Sequence, residues 1–157
     1  MDLFWIDESL AVAARPRGGD WLDDEMASLV GQNVAMVVSC LTPAEEQELE
    51  LEAEHELATR HGLGFVRAPM PDRGTPPSRS HLEAVIAQIA SRRSAGERVV
   101  IHCRQGLGRA PLVAAASLVR SGKTPDEAWD LISERRERPV PDTDVQRAWL
   151  ESFAELR

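Results

Sequence analysis

Val99-Val100-Ile101-His102-Cys103-Arg104-Gln105-Gly106-Leu107-Gly108-Arg109-Ala110-Pro111, continued by Leu112-Val113-Ala114-Ala115-Ala116, reads as a short apolar strand, a glycine-bearing loop and a buried helix. The strand delivers a cysteine into the loop, and an arginine closes it six residues later. Two glycines let the backbone curl so that successive N–H groups point inward, and the helix that follows turns its positive end to the same point. A thiol held there is expected to react as a thiolate, because a helix N-terminus and a neighbouring guanidinium both stabilise the anion. Arg109 offers a planar fork of donors for a bidentate grip on two oxygens of an anion. A cysteine buried for packing alone is common. Such a residue would need neither the glycines nor the arginine.

Outward from this unit the chain alternates strand and helix. Phe4-Trp5-Ile6 and Leu10-Ala11-Val12 are short strand candidates, and Val34-Ala35-Met36-Val37-Val38 is a continuous apolar run of the kind found in a sheet covered on both faces. Three helices are announced by capping boxes: Thr42-Pro43-Ala44-Glu45 opens one to about Arg60, Ser80-His81-Leu82-Glu83 one to about Arg93, and Thr124-Pro125-Asp126-Glu127 one to about Arg135. Gly62 and Gly64 end the first of these, Phe65-Val66-Arg67-Ala68-Pro69 reads as a further strand, and Gly122 ends the helix that leaves the cysteine loop. The pattern predicts an α/β fold, with one central, mostly parallel sheet and helices on both faces, as a single domain over 1–157. The loop then lies beyond a strand's carboxyl end, where such sheets bind ligands. The run Glu45 to Glu52 is expected to be a solvated helix face.

Composition narrows the partners. A net charge of −8 argues against nucleic acid or an acidic membrane surface as a general partner. The stretch Met1-Asp2-Leu3-Phe4-Trp5-Ile6-Asp7-Glu8 carries acids and no long apolar run, so neither a secretory signal nor a membrane span is expected there. Two cysteines, one of them in the reactive loop, suggest a reducing, cytoplasmic setting. Lys123 is the only lysine, so positive charge near the loop must come from arginines, with Arg73, Arg104 and Arg109 the candidates.

The motif His102-Cys103-x-x-Gly106-x-x-Arg109 resembles the signature of the cysteine-dependent protein phosphatases, and the segment Met70-Pro71-Asp72-Arg73-Gly74-Thr75-Pro76-Pro77 resembles the Asp-x-Gly-x-Pro loop of their compact dual-specificity type. That resemblance, which runs from about Val34 to the C-terminus, implies a protein tyrosine phosphatase-like fold and hydrolysis of phosphate monoesters without metal or organic cofactor. It implies Cys103 as nucleophile and Asp72 as the acid that protonates the leaving alcohol and later activates water. Arg104, Gln105, Gly106, Leu107, Gly108 and Arg109 would hold the phosphate, with His102 in support. The substrate implied is a phosphorylated protein, open to phosphotyrosine, phosphoserine and phosphothreonine, or a small phosphate ester. Near the C-terminus, Thr143-Asp144-Val145-Gln146 resembles the family segment whose glutamine orients the hydrolytic water. The same spacing is also a capping box. Arg135, Arg136 and Arg138 read as the cationic end of a helix.

Where the family usually has Ser or Thr after the loop arginine, this chain has Ala110. The missing hydroxyl implies slower breakdown of a phosphoenzyme. It also keeps open a phosphate-binding module without turnover. A phosphoinositide or inositol phosphate substrate is the nearest alternative, against which stand Gln105 and Leu107, where lipid phosphatases tend to place lysines. A sulfur-transfer or redox enzyme would use an activated cysteine too, with no need for Asp72. Cys40 has a counterpart in family members that trap the catalytic thiolate reversibly as a disulfide.

Overall fold

The computed structural model describes residues 1–156; Arg157, the last residue of the expected domain, lies outside them. Five strands form one sheet: β1 (Phe4–Trp5), β2 (Leu10–Ala13), β3 (Val34–Ser39), β4 (Gly64–Arg67) and β5 (Arg98–His102), in the spatial order β1-β2-β5-β3-β4. Only the β1–β2 pair is antiparallel. The last strand in the sequence, β5, therefore runs through the middle, with Ala13 of β2 on one side of His102 and Ser39 of β3 on the other. Cys103 leaves the sheet at this point, flanked by the carboxyl ends of two neighbouring strands. The chain crosses from β2 to β3 past the position β5 fills, which makes this the switch point where open α/β sheets form their ligand crevice.

Seven helices cover the sheet: α1 (Leu22–Gly31), α2 (Pro43–Glu48), α3 (Glu54–Arg60), α4 (Arg79–Ser94), α5 (Arg109–Arg120), α6 (Pro125–Arg136) and α7 (Asp144–Glu155). Strand alternation divides the core in two. Leu10, Val12, Met36, Val38, Val99 and Ile101 face α4, α5, α6 and α7, whereas Ala11, Ala13, Val37 and Val100 face the other way, with Leu22, Met26 and Leu29 of α1 and Ala58 of α3. Helix α5 is buried from Arg109 to Val119. Its alanines let α4, α6 and α7 close around it.

Two expectations need correction. The helix expected to run from Thr42 to about Arg60 is two short helices. Leu51 plugs the core at 0% exposure, and to place it there the chain breaks at Glu50, whose φ is +58° and whose carbonyl accepts from Gly19 N at 2.9 Å. An unbroken helix would carry Leu51 past that site. Helix α4 is capped by Ser78, whose hydroxyl accepts from His81 N at 3.1 Å, in place of Ser80. Glu83, free of any cap, instead binds Arg120 at 2.5 Å. The boxes at Thr42 and Thr124 form as expected. No helix among the described residues is long and apolar enough to cross a membrane.

Candidate active site

The loop from Cys103 to Gly108 turns sharply at Gly106, where φ is +74°. A side chain there would also collide with the end of β2, since a Cβ would stand 2.8 Å from the Ala13 carbonyl carbon. Glycine is thus required twice over at this position. The turn brings Gly106 N within 3.2 Å of Cys103 Sγ, the hydrogen bond that the structure provides to this sulfur. Arg104 N to Arg109 then wrap a cleft of about 160 Å³ lined by Cys103, Arg104, Gln105, Leu107, Gly108, Arg109, Asp72, Arg73 and Asp142. The expected nucleophile, anion cradle and acid are therefore in one place.

Arg109 is only 1% exposed, and almost every donor it has is spoken for. Nη1 donates to Glu45 Oε1 at 2.6 Å and to the Met70 carbonyl at 3.0 Å; Nη2 donates to Glu45 Oε2 at 2.9 Å and to Asp72 Oδ1 at 3.2 Å. A buried guanidinium held by a fork–fork pair has a fixed orientation. Burial opposes the charge on Arg109, but the Glu45 bond and the nearby negative groups outweigh it and raise its pKa above the usual arginine value. For Glu45, burial pushes the carboxyl up, and the bonds from Arg109 and the Thr42 amide pull it down to about 2. Glu45 serves its capping box and Arg109 together, accepting from Thr42 N at 3.1 Å.

Glu45 was hidden in the acidic run. That run is a solvated face only in part: Glu48, Glu50 and Glu52 are exposed, but Glu45 and Glu46 are buried, and so is Glu54 just beyond it. Glu46 binds Arg67 at 2.8 Å. Glu54 Oε2 lies 2.7 Å from His102 Nε2, with both residues fully buried, while His102 Nδ1 is 3.4 Å from the Cys103 carbonyl. His102 lies under the loop, tethered to α3, and outside the cleft. Each of these carboxylates finds a partner far along the chain, where no local spacing pointed to it.

Asp72 sits on an exposed turn in which Gly74 N donates to the Pro71 carbonyl at 2.8 Å. Gln146 is 0% exposed, and its side chain does not fold back on the cap. Its Nε2 donates to the Gly74 carbonyl at 3.0 Å, which ties the Asp72 turn to α7, while Oε1 has no partner. A Cβ on Gly108 would come within 3.2 Å of that same Oε1, so the free oxygen lies beside the loop. Thr143 keeps its capping role, accepting from Gln146 N at 3.2 Å. Asp142, which the sequence reading passed over, overhangs Gly108: a Cβ there would be 2.8 Å from Asp142 Oδ2.

Of the three arginines at the end of α6, Arg135 and Arg138 are exposed and Arg136 turns to the loop. Arg104 points outward to Glu48 at 3.1 Å. Cys40 follows Ser39, the residue paired with His102, and its amide donates to the His102 carbonyl at 2.9 Å. Burial pushes the Cys40 thiol well up, and the charge of nearby Cys103 adds to this. Both cysteines are free thiols.

A family model described as the DSP-PTPase phosphatase of polymorphic toxin systems matches residues 11–123. The chain belongs to this family. The matched span of this dual-specificity phosphatase family holds Glu45, Asp72, Cys103 and Arg109, and stops before Arg136, Asp142 and Gln146. A probable protein tyrosine phosphatase type IVA A of Dictyostelium discoideum is 31% identical over 86 residues, 54% of this chain and 52% of its own length. The human protein tyrosine phosphatase type IVA 3 is 29% identical over 96 residues, 60% of this chain and 54% of its own. The chain thus spans about half the length of the curated relatives it matches.

Among solved structures, Tk-PTP in its active form superposes with a TM-score of 0.81 at 27% identity, over 99% of this chain and 97% of that one. The kinase-associated phosphatase, with its catalytic-site cysteine replaced by serine, gives 0.82 at 20% over 93% and 85%. PTPMT1 in complex with PI(5)P gives 0.82 at 20% over 98% and 94%. The last two establish the shared fold.

Proposed function

We propose that this chain hydrolyses phosphate monoesters on tyrosine, serine and threonine side chains of proteins through a phosphocysteine intermediate. The observation that carries the reading is the convergence of Cys103, Arg109 and Asp72 on one small cleft. In the first step Cys103 Sγ attacks phosphorus as the bond to the ester oxygen breaks, and Asp72 gives its proton to that departing oxygen. Loop amides and Arg109 hold the three equatorial oxygens, where charge spreads in the transition state. In the second step Asp72 takes a proton from water as the water oxygen attacks phosphorus. The P–S bond breaks, and inorganic phosphate and the thiolate are released. Gln146 Oε1, buried and without a partner beside Gly108, is placed to accept the water's second hydrogen bond.

A protein substrate is favoured over a phosphoinositide by the charge around the cleft. Highly phosphorylated headgroups need several free cations. Here Arg104 is engaged with Glu48 and stands 3.7 Å from Glu45, and Asp142 brings a negative charge to the rim. Arg73 is the cleft-lining arginine without an ion pair among the described residues. The test is a side-by-side assay of p-nitrophenyl phosphate, phosphotyrosine and phosphothreonine peptides, and a short-chain phosphoinositide, with Cys103→Ser and Arg109→Lys as controls. Turnover of the aryl phosphate and peptides, abolished in both variants while Cys103→Ser still binds vanadate, supports the proposal. Exclusive turnover of the phosphoinositide would overturn the substrate assignment. Vanadate binding with no turnover of anything would make the protein a phosphate-binding module.

A further inference from the structure

Amides of an anion-binding loop converge inward only if the intervening carbonyls face outward, and carbonyls so placed need donors of their own. In this loop three successive carbonyls have them. Arg104 O accepts from Arg15 N at 3.3 Å, Gln105 O from Arg136 Nη2 at 3.1 Å, and Gly106 O from Arg136 Nε at 3.2 Å. One guanidinium at the end of α6 therefore grips two consecutive peptide groups from behind, and those peptides supply the amides of Gly106 and Leu107. The Gly106 amide is the one that reaches Cys103 Sγ. The guanidinium is itself braced, standing 4.0 Å over the ring of Phe4 in β1.

This arrangement costs something. Arg136 has no carboxylate within ion-pair distance among the described residues, and burial, then the charge of Arg138, lowers its pKa from the usual arginine value. A surface arginine placed for helix electrostatics would point to solvent, as Arg135 and Arg138 do. Arg136 instead spends both donors of its fork on the loop backbone.

We infer that Arg136 is a positioning residue, which holds the Gln105 and Gly106 carbonyls outward so that the loop presents its amides to the phosphate and to Cys103. The inference rests on the phosphatase reading above. Arg136 does not line the cleft, and its hydrogen bonds go to the loop carbonyls and not to Cys103 Sγ. Its loss should therefore weaken every oxyanion the loop binds, by a similar factor, whatever group the phosphate is attached to.

The experiment compares parent, Arg136→Met and Arg136→Lys by vanadate affinity, kcat/KM on p-nitrophenyl phosphate, and thermal unfolding. Met keeps the apolar stem and removes the fork. We expect vanadate affinity and kcat/KM to fall together by about tenfold to a hundredfold, the worth of one hydrogen bond from a charged donor. Lys, with a point charge in place of the fork, should recover part of both. If Arg136→Met does not fold, Arg136→Lys alone decides, by whether its vanadate affinity and kcat/KM fall together. A lower melting temperature with parental vanadate affinity and kcat/KM would show a purely structural role and overturn the inference. So would a rise in KM with unchanged vanadate affinity, which would place Arg136 against the leaving group. A parent that binds no vanadate at all would overturn the phosphatase reading itself, an outcome read before any variant is made.

Discussion

Arg109 Nη2 donates to Asp72 Oδ1 at 3.2 Å, so the cradle's arginine and the candidate acid are bound to each other. Glu45 and Met70 occupy the other Nη hydrogens, which leaves Nε and the hydrogen now on Asp72 for a bidentate phosphate. Phosphate must displace the Asp72 carboxylate from that nitrogen. Once displaced, the carboxyl is free to meet the ester oxygen on the far side of the phosphorus. Asp72→Asn should therefore do two opposite things. Turnover of p-nitrophenyl phosphate should fall by about 10²–10⁴-fold, the usual worth of a positioned acid, while vanadate binds at least as tightly because a competing negative charge is gone. Steady-state rates and vanadate titrations on the same preparation would check both, and weaker vanadate binding would mean that Asp72 helps to hold the anion.

Glu45 holds Arg109 in place, and its pKa ties that role to acid stability. The carboxyl stands at about 2 against a reference of 4.5. A depressed carboxyl stabilises the fold wherever it is ionised, so the whole contribution is present above about pH 4.5 and is lost as pH falls toward 2. A displacement of that size is worth about 3 kcal/mol. Glu45→Ala removes the contribution and also leaves a buried guanidinium without its partner, at a cost of about 3–5 kcal/mol at neutral pH. Urea unfolding of parent and variant at pH 7, 4 and 2.5 should show the gap between them closing as the pH falls. A gap that stays constant would mean the variant's defect is packing alone.

The alternation of strand and helix and the turn of the cysteine loop were legible because they are local. The apolar run Val99 to Ile101 could only be a strand, and the glycines and arginine that follow leave few conformations open. Long-range pairings were not legible in the same way. Glu45 and Arg109 are 64 positions apart, Glu54 and His102 are 48 apart, and Arg136 reaches back 31 to Gln105. At each glutamate the local reading, a cap or a wet helix face, was complete in itself. Thr42-Pro43-Ala44-Glu45 does form its box; nothing in four residues could reveal that the same carboxylate also receives a guanidinium. The break at Glu50 escaped for a related reason, since it exists to seat Leu51 in the core. The Thr143–Gln146 spacing left two readings open. The structure divides them, with the backbone amide on the cap and the side chain on Gly74.

Gln146 ties the Asp72 turn to α7 and lies beside the cysteine loop, and this predicts that its loss is felt in both chemical steps. A glutamine that only orients water would affect hydrolysis of the phosphoenzyme and leave its formation alone. Gln146→Ala also removes the bond to the Gly74 carbonyl, one neutral hydrogen bond, so formation should slow as well, by about threefold to tenfold. Rapid-quench measurement of phosphoenzyme formation and decay separates the two. Formation at the parental rate would limit Gln146 to the second step.

Ala110 is buried beside the loop arginine, and Gly106 N is the donor that the structure provides to Cys103 Sγ. Thr143, whose hydroxyl serves the cap of α7, is engaged elsewhere. A thiolate leaving phosphorus with one backbone donor is a poorer leaving group than one with a hydroxyl in addition, so breakdown of the phosphoenzyme should limit turnover here. Rapid mixing with p-nitrophenyl phosphate should then show a burst of nitrophenol before the steady state. Ala110→Ser should shrink the burst and raise the steady-state rate, with little change in the first step. A hydrogen bond to a charged group is worth about 1.5–3 kcal/mol, which sets the expected gain at about tenfold to a hundredfold. The added oxygen has to fit where the present side chain is 0% exposed, so a thermal unfolding curve belongs beside the kinetics. A stable variant no faster than its parent, with no burst in either, would mean that release of the thiolate does not limit turnover.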